Sequence, residues 1–191
     1  MGGGNNSLRS KFKIIAGKYK GKLLELQSNS DIRPTQNYIK EAIFNVIQFN
    51  IKGAGFLDLY AGTGAIGIEA ISRKAAFVDF IEAESNTIPL LKQNLRIIDN
   101  DFDYNVFKYR ITTKSLCLVK FRSYDFIFLD PPYRSGYIKK GLEFINRCNL
   151  LAKDGVIIAE SLGYESYDIS SFECYKDIKY SKKIVRFLKK R

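Results

Sequence analysis

Hydrophobic and polar positions change period at one point of the chain, and the rest of the pattern is arranged around it. Phe56 to Tyr60 is a short apolar run broken only by Asp58, while Ile66, Ala70 and Ile71 recur at helical spacing beyond Gly62 and Gly64. The stretch predicts a buried strand, a glycine turn and a helix. Upstream, the runs 12–17 and 22–26 flank Gly17, Lys18, Tyr19, Lys20 and Gly21 and predict a basic hairpin. Thr35 is the expected N-cap of a helix whose apolar face is Ile39, Ala42, Ile43, Val46 and Ile47 and which ends near Asn50.

Downstream the pattern alternates. Strands are expected at residues 76–81, 105–111, 124–129 and 155–159, with helices after a Ser85 cap, around 115–120 and over 136–150. Repeated strand–helix units imply a mostly parallel sheet covered on both faces. Runs 172–178 and 184–188, separated by residues 179–183, close the pattern as an antiparallel hairpin. Residues 1–10, rich in Gly, Asn and Ser, read as a flexible tail. Residues 11–52 read as a hairpin-and-helix extension and residues 53–191 as the main domain.

Composition narrows the function classes. The 191 residues can bury a substantial core, and no apolar run reaches the roughly 20 residues that span a bilayer. The first ten residues carry no signal-peptide apolar segment. Cys117, Cys148 and Cys174 are widely spaced and there is no histidine. Neither a disulfide framework nor a zinc site is therefore expected, and the expected compartment is a reducing cytoplasm. Triads and general bases built on histidine are excluded, which removes most hydrolase chemistries. The net charge of +11 is unevenly spread: residues 1–50 carry eight Lys/Arg against three Asp/Glu, residues 176–191 eight against one, and the middle fifteen against sixteen. An electrostatic footprint confined to the ends suits a polyanion, with Arg9, Lys11, Lys13, Lys18, Lys20, Lys22, Lys182 and Lys183 as the expected phosphate contacts.

Two ligand classes fit the glycine turn. Gly62-x-Gly64-x-x-Gly67 matches the dinucleotide fingerprint, with Glu82 about twenty residues on to hold a ribose hydroxyl. S-adenosylmethionine is the other; it is cationic and has no pyrophosphate, which suits the acid Asp58 four residues before the first glycine. A second stretch, Asp130-Pro131-Pro132-Tyr133, follows the run 124–129. In a doubly wound sheet the first and fourth strands of the main domain are neighbours, so both loops face one crevice beyond the carboxyl ends of the strands. The prolines hold Asp130 and Pro131 extended and donate no amide hydrogen. The Asp130 carboxylate and the Pro131 carbonyl can then receive both hydrogens of a planar amino group, while Tyr133 stacks on its ring. Such an amine sheds its proton only after attack, so the chemistry needs no histidine.

Together these residues carry a resemblance. Asp58-x-Tyr60-x-Gly62-x-Gly64 with Asp130-Pro131-Pro132-Tyr133 resembles the class I S-adenosylmethionine-dependent amino-methyltransferases. Ile14-Ile15-Ala16-Gly17 with Gly21-Lys22, Arg33-Pro34-Thr35 with Glu41-Ala42-Ile43-Phe44-Asn45, and Glu69-Ala70-Ile71-Ser72-Arg73 extend it over nearly the whole chain. In these segments the chain resembles the RsmD-type small-subunit (16S) rRNA (guanine-N2)-methyltransferases. The resemblance implies an α/β, Rossmann-like sheet of seven strands, mostly parallel, with a C-terminal antiparallel hairpin and an N-terminal extension. It implies S-adenosyl-L-methionine at Asp58, Tyr60, Ala61, Gly62, Thr63, Gly64 and Glu82, and catalysis by Asp130, Pro131, Pro132 and Tyr133. Arg33, Pro34 and Thr35 are expected at the cofactor or the flipped base. Lys114-Ser115 stands where such enzymes more often carry Asp or Asn beside the adenine; Ser115 is the candidate for that contact, and the departure leaves the adenine contact open. The expected partner is small-subunit rRNA or an assembling small subunit, met by a cytoplasmic monomer without metal or membrane attachment.

Alternatives stay open at this point. Loops of the Asp-Pro-Pro-Tyr type do not distinguish planar amines, so DNA adenine or a protein glutamine is the competing substrate. A nicotinamide dehydrogenase would use Tyr104-x-x-x-Lys108, but that pair falls in a predicted strand, where residues four apart are not helical neighbours. A non-catalytic RNA-binding protein would show the same charge distribution.

Overall fold

The computed structural model describes residues 11–26, 34–99, 102–115, 117, 122–132 and 136–191, with the side chains of residues 34–36 outside the description. A small antiparallel pair, β1 (Lys11–Lys13) and β2 (Leu23–Glu25), precedes helix α1 (Pro34–Ile47). The main sheet then alternates: β3 (Gly55–Asp58), α2 (Ala65–Ser72), β4 (Phe77–Glu82), α3 (Ile88–Leu95), β5 (Tyr104–Lys108), β6 (Tyr124–Leu129), α4 (Tyr137–Arg147), β7 (Leu151–Leu162), β8 (Phe172–Tyr180) and β9 (Lys183–Lys190). The order across its seven strands is β5-β4-β3-β6-β7-β9-β8. Strands β5 to β7 in that order pair parallel, and β9 enters antiparallel between β7 and β8. The reversal of chain order between β3 and β6 opens the crevice the pattern had predicted.

Side chains alternate through the sheet and build a core on each face. Phe56, Phe126, Phe128 and Ile158 pack with α1, α2, α3 and the β1–β2 pair, whereas Leu57, Ile127, Leu129 and Ile157 pack with Ile138, Leu142 and Ile145 of α4. No helix among the described residues is long and apolar enough to cross a membrane.

The N-terminal extension is held to α2 by polar contacts as well as by its apolar face. The Glu69 carboxylate is fully buried and accepts the amides of Ile15 (2.9 Å) and Ala16 (3.0 Å), the Lys40 ammonium (2.9 Å) and Arg73 Nε (2.9 Å). Lys40 also donates to the Lys13 carbonyl at 2.9 Å, and burial lowers its pKa to about 8 against the pull of Glu69. Gly17 has φ +84°, and a Cβ there would stand 1.9 Å from the Ser72 carbonyl oxygen, to which the Lys18 amide donates at 2.7 Å. Only glycine satisfies both conditions.

Several local expectations shift. Helix α1 begins at Pro34, placing Thr35 inside its first turn instead of at the cap; proline suits that first position because its missing N–H has no helical partner there. The cap of α3 is Thr87, not Ser85, and it makes no side-chain cap bond. Strand β7 starts at Leu151, four residues early, because Leu151 already pairs with Tyr124 of β6. The closing turn shrinks to Ser181 and Lys182, with Ser181 at φ +51°. The helix expected around 115–120 falls largely outside the described residues, and Ser115 and Cys117 are not helical. Cys117 and Cys148 are joined by a disulfide where none was expected: 31 residues apart in sequence, their Cα atoms stand 5.5 Å apart in space.

Candidate active site

Asp58, Asp130 and Glu160 stand at or just beyond the carboxyl ends of three neighbouring strands, β3, β6 and β7. Phe56, Phe128 and Ile158 share one core, so the acids two residues further on project to that same face. With Tyr60, Gly62, Thr63 and Lys183 they line a cavity of about 270 Å³, to which the extension contributes Phe12, Leu26, Ile39 and Lys40. A second cavity, of about 540 Å³, is lined by Glu82, Thr87, Tyr109, Arg110, Ile111, Pro131, Pro132 and Tyr137 among others. Tyr60, Gly62, Thr63, Asp130 and Lys183 line both.

The glycine turn is built as its residues require. Gly62 and Gly64 have φ +53° and +81°, and a Cβ on Gly64 would come within 2.4 Å of Leu91 Cδ1. Gly67 lets α2 sit on Phe80 of β4, and its amide donates to the Asp58 carboxylate at 3.0 Å. Glu82 accepts the amides of Gly62 (2.8 Å) and Glu84 (2.7 Å), which pins the end of β4 beside the turn. Asn94 donates to the Thr63 carbonyl at 2.9 Å and steadies the turn from α3. Tyr60 donates its hydroxyl to the Tyr137 carbonyl at 3.1 Å.

Electrostatics set the acids apart from ordinary carboxylates. Burial raises the pKa of Asp58 to about 7, opposed by the Gly67 amide and reinforced by the charge of Glu82. Burial also pushes Asp130 well above the carboxylate range, with Glu160 and Asp58 adding to the shift and Lys183 opposing it. Raised proton affinity in an acid-rich cleft marks a place suited to a cationic ligand or to proton transfer. The donor set thus fits the sulfonium and amino group of the cofactor expected from the sequence.

The expected residues do not all converge. Asp58, Tyr60, Ala61, Gly62, Thr63, Glu82, Asp130, Pro131 and Pro132 line the two cavities, whereas Gly64 supports the turn from behind. Ser115 does not reach the cleft lining: its hydroxyl accepts the Thr112 amide (2.7 Å) and bonds to the Arg110 carbonyl (3.1 Å). Tyr109, Arg110 and Ile111 face the cavity in its place. Arg9, Arg33 and Tyr133 lie outside the described residues, and Pro34 and Thr35 are described in backbone only. Lys11, Lys13, Lys18, Lys20, Lys22 and Lys182 are exposed, with Lys18 paired to Asp99 and Lys11 to Glu25. Lys183 is placed differently: its ammonium turns inward and bonds to the buried Glu160. Glu160, Lys40 and Tyr137, like Tyr109, Arg110 and Ile111, are site residues that sequence reasoning passed over; an acid two residues after Ile158 in an apolar run was the one local signal among them.

The strand order, the glycine turn after β3 and the Asp-Pro-Pro loop after its neighbour β6 define a methyltransferase of the class I, Rossmann-like type. The model of the family described as Conserved hypothetical protein 95 matches residues 12–189, and the chain belongs to that family. It is 38% identical over 160 residues to the ribosomal RNA small subunit methyltransferase D of Buchnera aphidicola subsp. Acyrthosiphon pisum, covering 82% of each chain. It is 30% identical over 157 residues to the protein of that name in Escherichia coli K12, covering 82% of this chain and 78% of that one. Among solved structures, the putative methyltransferase yhhF from Escherichia coli superposes with a TM-score of 0.82 at 25% identity, covering 95% of this chain and 98% of that one. The T. thermophilus 16S rRNA N2 G1207 methyltransferase, solved with AdoMet and guanosine, shares the fold with a TM-score of 0.69 at 20% identity over 96% of this chain and 50% of its own.

Proposed function

We propose that this chain transfers a methyl group from S-adenosylmethionine to the exocyclic N2 of a guanine in small-subunit ribosomal RNA. The observation that carries the reading is the position of Asp130: it lines both cavities, beside Pro131 and opposite the glycine turn. Relatives named as small-subunit rRNA methyltransferases support the substrate class. The T. thermophilus neighbour, which acts on guanine N2, supports the target atom.

In this reading Asp58 and the turn through Gly62 hold the methionine end of the cofactor, Glu82 meets the ribose hydroxyls, and Tyr109 to Ile111 flank the adenine. When bound, S-adenosylmethionine supplies a methyl group on a cationic sulfur, which keeps the electron pair of the broken bond. The Asp130 carboxylate and the Pro131 carbonyl accept the two N2 hydrogens and aim the nitrogen lone pair toward that methyl. N2 gains the carbon and then loses one proton, which Asp130, with its raised proton affinity, is placed to receive. The base has to leave its helix to reach this cleft. Tyr133 is assigned the stacking contact, and the exposed lysines of the β1–β2 hairpin with Lys182 hold phosphates without reading sequence.

Incubating the protein with unmodified small ribosomal subunits and labelled S-adenosylmethionine, then digesting the RNA and separating nucleosides, tests the reading. Label in N2-methylguanosine is the expected result. Label in N6-methyladenosine or in ribosomal protein would replace guanine N2 as the target.

A further inference from the structure

The Glu160–Lys183 pair has no task in the transfer described above, yet both residues line the cavity that holds Asp130. Glu160 is 5% exposed and bonds to the Lys183 ammonium. The pairing of β6 with β7 sets Leu129 opposite Ala159, so Asp130 and Glu160, one residue further along each strand, emerge side by side at one rim of the cleft. Lys183, the first residue of β9, comes in from the next strand over. Across three adjacent strands the cleft therefore presents an acid, a second acid and an ammonium, in that order.

That order matches one base edge. Along its Watson–Crick edge guanine offers the N2 amine, the N1–H and the O6 carbonyl: donor, donor, acceptor. Adenine offers an N6 donor and an N1 acceptor, which would set a lone pair against a carboxylate. We propose that Glu160 and Lys183 read the target guanine, Glu160 accepting the N1–H and Lys183 donating to O6, while Asp130 and the Pro131 carbonyl take the N2 hydrogens. The pair is held in place before any base arrives, so little ordering is needed on binding, and a base with a bare N1 sets its lone pair against the Glu160 carboxylate. This assignment rests on the guanine-N2 reading and adds to it the residues that choose the base.

The test compares guanine with 2-aminopurine, which keeps the 2-amino group but has a bare N1 acceptor and no O6. Once the methylated nucleotide is mapped with the wild-type protein, small subunits are reconstituted with either base at that position and kcat/KM is measured on both. Wild type is expected to favour guanine by about 100-fold, since 2-aminopurine lacks the partners of both charged groups and each loss costs on the order of 10-fold or more. Glu160→Gln, whose amide can donate to a bare N1, and Lys183→Met are each expected to cut that preference to below about 10-fold. Both should bind S-adenosylmethionine with an unchanged Kd by calorimetry. If wild type uses both bases equally, or the variants keep the 100-fold preference, the assignment is overturned while guanine-N2 methylation stands. Variants that lose cofactor binding would make the pair a cofactor support and overturn it as well. Wild type placing no methyl on guanine N2 removes the parent reading and this one with it.

Discussion

Two acids withdrawn from bulk water, the fully buried Glu69 and the half-buried Asp130, show how one side-chain chemistry serves opposite ends. Around Glu69 every direction is filled: two backbone amides, the Lys40 ammonium and Arg73 Nε meet its carboxylate at 2.9–3.0 Å. Around Asp130 the neighbours include two further acids, the Lys183 ammonium is engaged with Glu160, and the carboxyl faces open cleft. The first arrangement stabilises the charge and fastens the extension to α2. The second leaves the charge costly until a cation or a proton arrives. Burial alone therefore identifies neither acid as functional; the completeness of its partners does.

The largest way to sharpen that contrast is Asp130→Ala. Methyl transfer should fall by roughly 10²- to 10⁴-fold, the usual span for a lost proton acceptor, with melting temperature and cofactor Kd nearly unchanged. Turnover within a few-fold of wild type would remove Asp130 from the chemistry. Glu69→Ala should do the reverse. It strands a buried ammonium and two amides, so urea denaturation should show about 3–5 kcal/mol of lost stability; a loss below about 1 kcal/mol would mean that the apolar contacts hold the extension by themselves.

Next comes pH. The folded-state pKa of Asp58, about 7, lies above its ordinary value of 3.8, so between those values the native state holds a proton that the unfolded chain has released. This group's contribution to stability is thus greatest below pH 4, declines as pH rises to about 7 and is level beyond. A cationic cofactor beside the carboxyl favours its ionised form, so affinity for S-adenosylmethionine should rise with pH up to about 7. Calorimetry at pH 5.5 and 7.5 on wild type and Asp58→Asn reads both trends; a variant with the wild-type slope would assign the proton elsewhere. The smallest effect is at the surface. Lys20→Ala with Lys182→Ala should lower the slope of log affinity against log salt for the RNA by about 1 per lysine while leaving turnover at saturation intact.

Much of the cleft was legible because its signals are local. The change of period across Gly62 and Gly64 is written within a dozen residues, as is the strand at Tyr124–Leu129 with the prolines after it, and the parallel sheet orders the two stretches in one way. What escaped depends on distant partners. Glu69 was visible as part of a motif, but not as the acceptor for amides 53 and 54 residues upstream. Lys183 read as one more basic residue in a charged tail. Its inward turn follows from β9 entering between β7 and β8, a position that no periodicity within the strand encodes. For the same reason, cutting the chain after Ile178 would remove a buried strand instead of a free basic tail, and single surface lysines are the better probes of charge.

The bond between Cys117 and Cys148 has a topological meaning. The covalent ring it closes contains β6, the Asp130-Pro131-Pro132 loop and all of α4, so the segment proposed to carry out the chemistry is a macrocycle threaded into the sheet. A ring closed over a separation of 31 residues removes about 3–4 kcal/mol worth of disorder from the unfolded chain. Cutting it with a thiol returns that freedom to the unfolded chain. One polypeptide then has two thermal stabilities, and the redox poise of its surroundings selects between them.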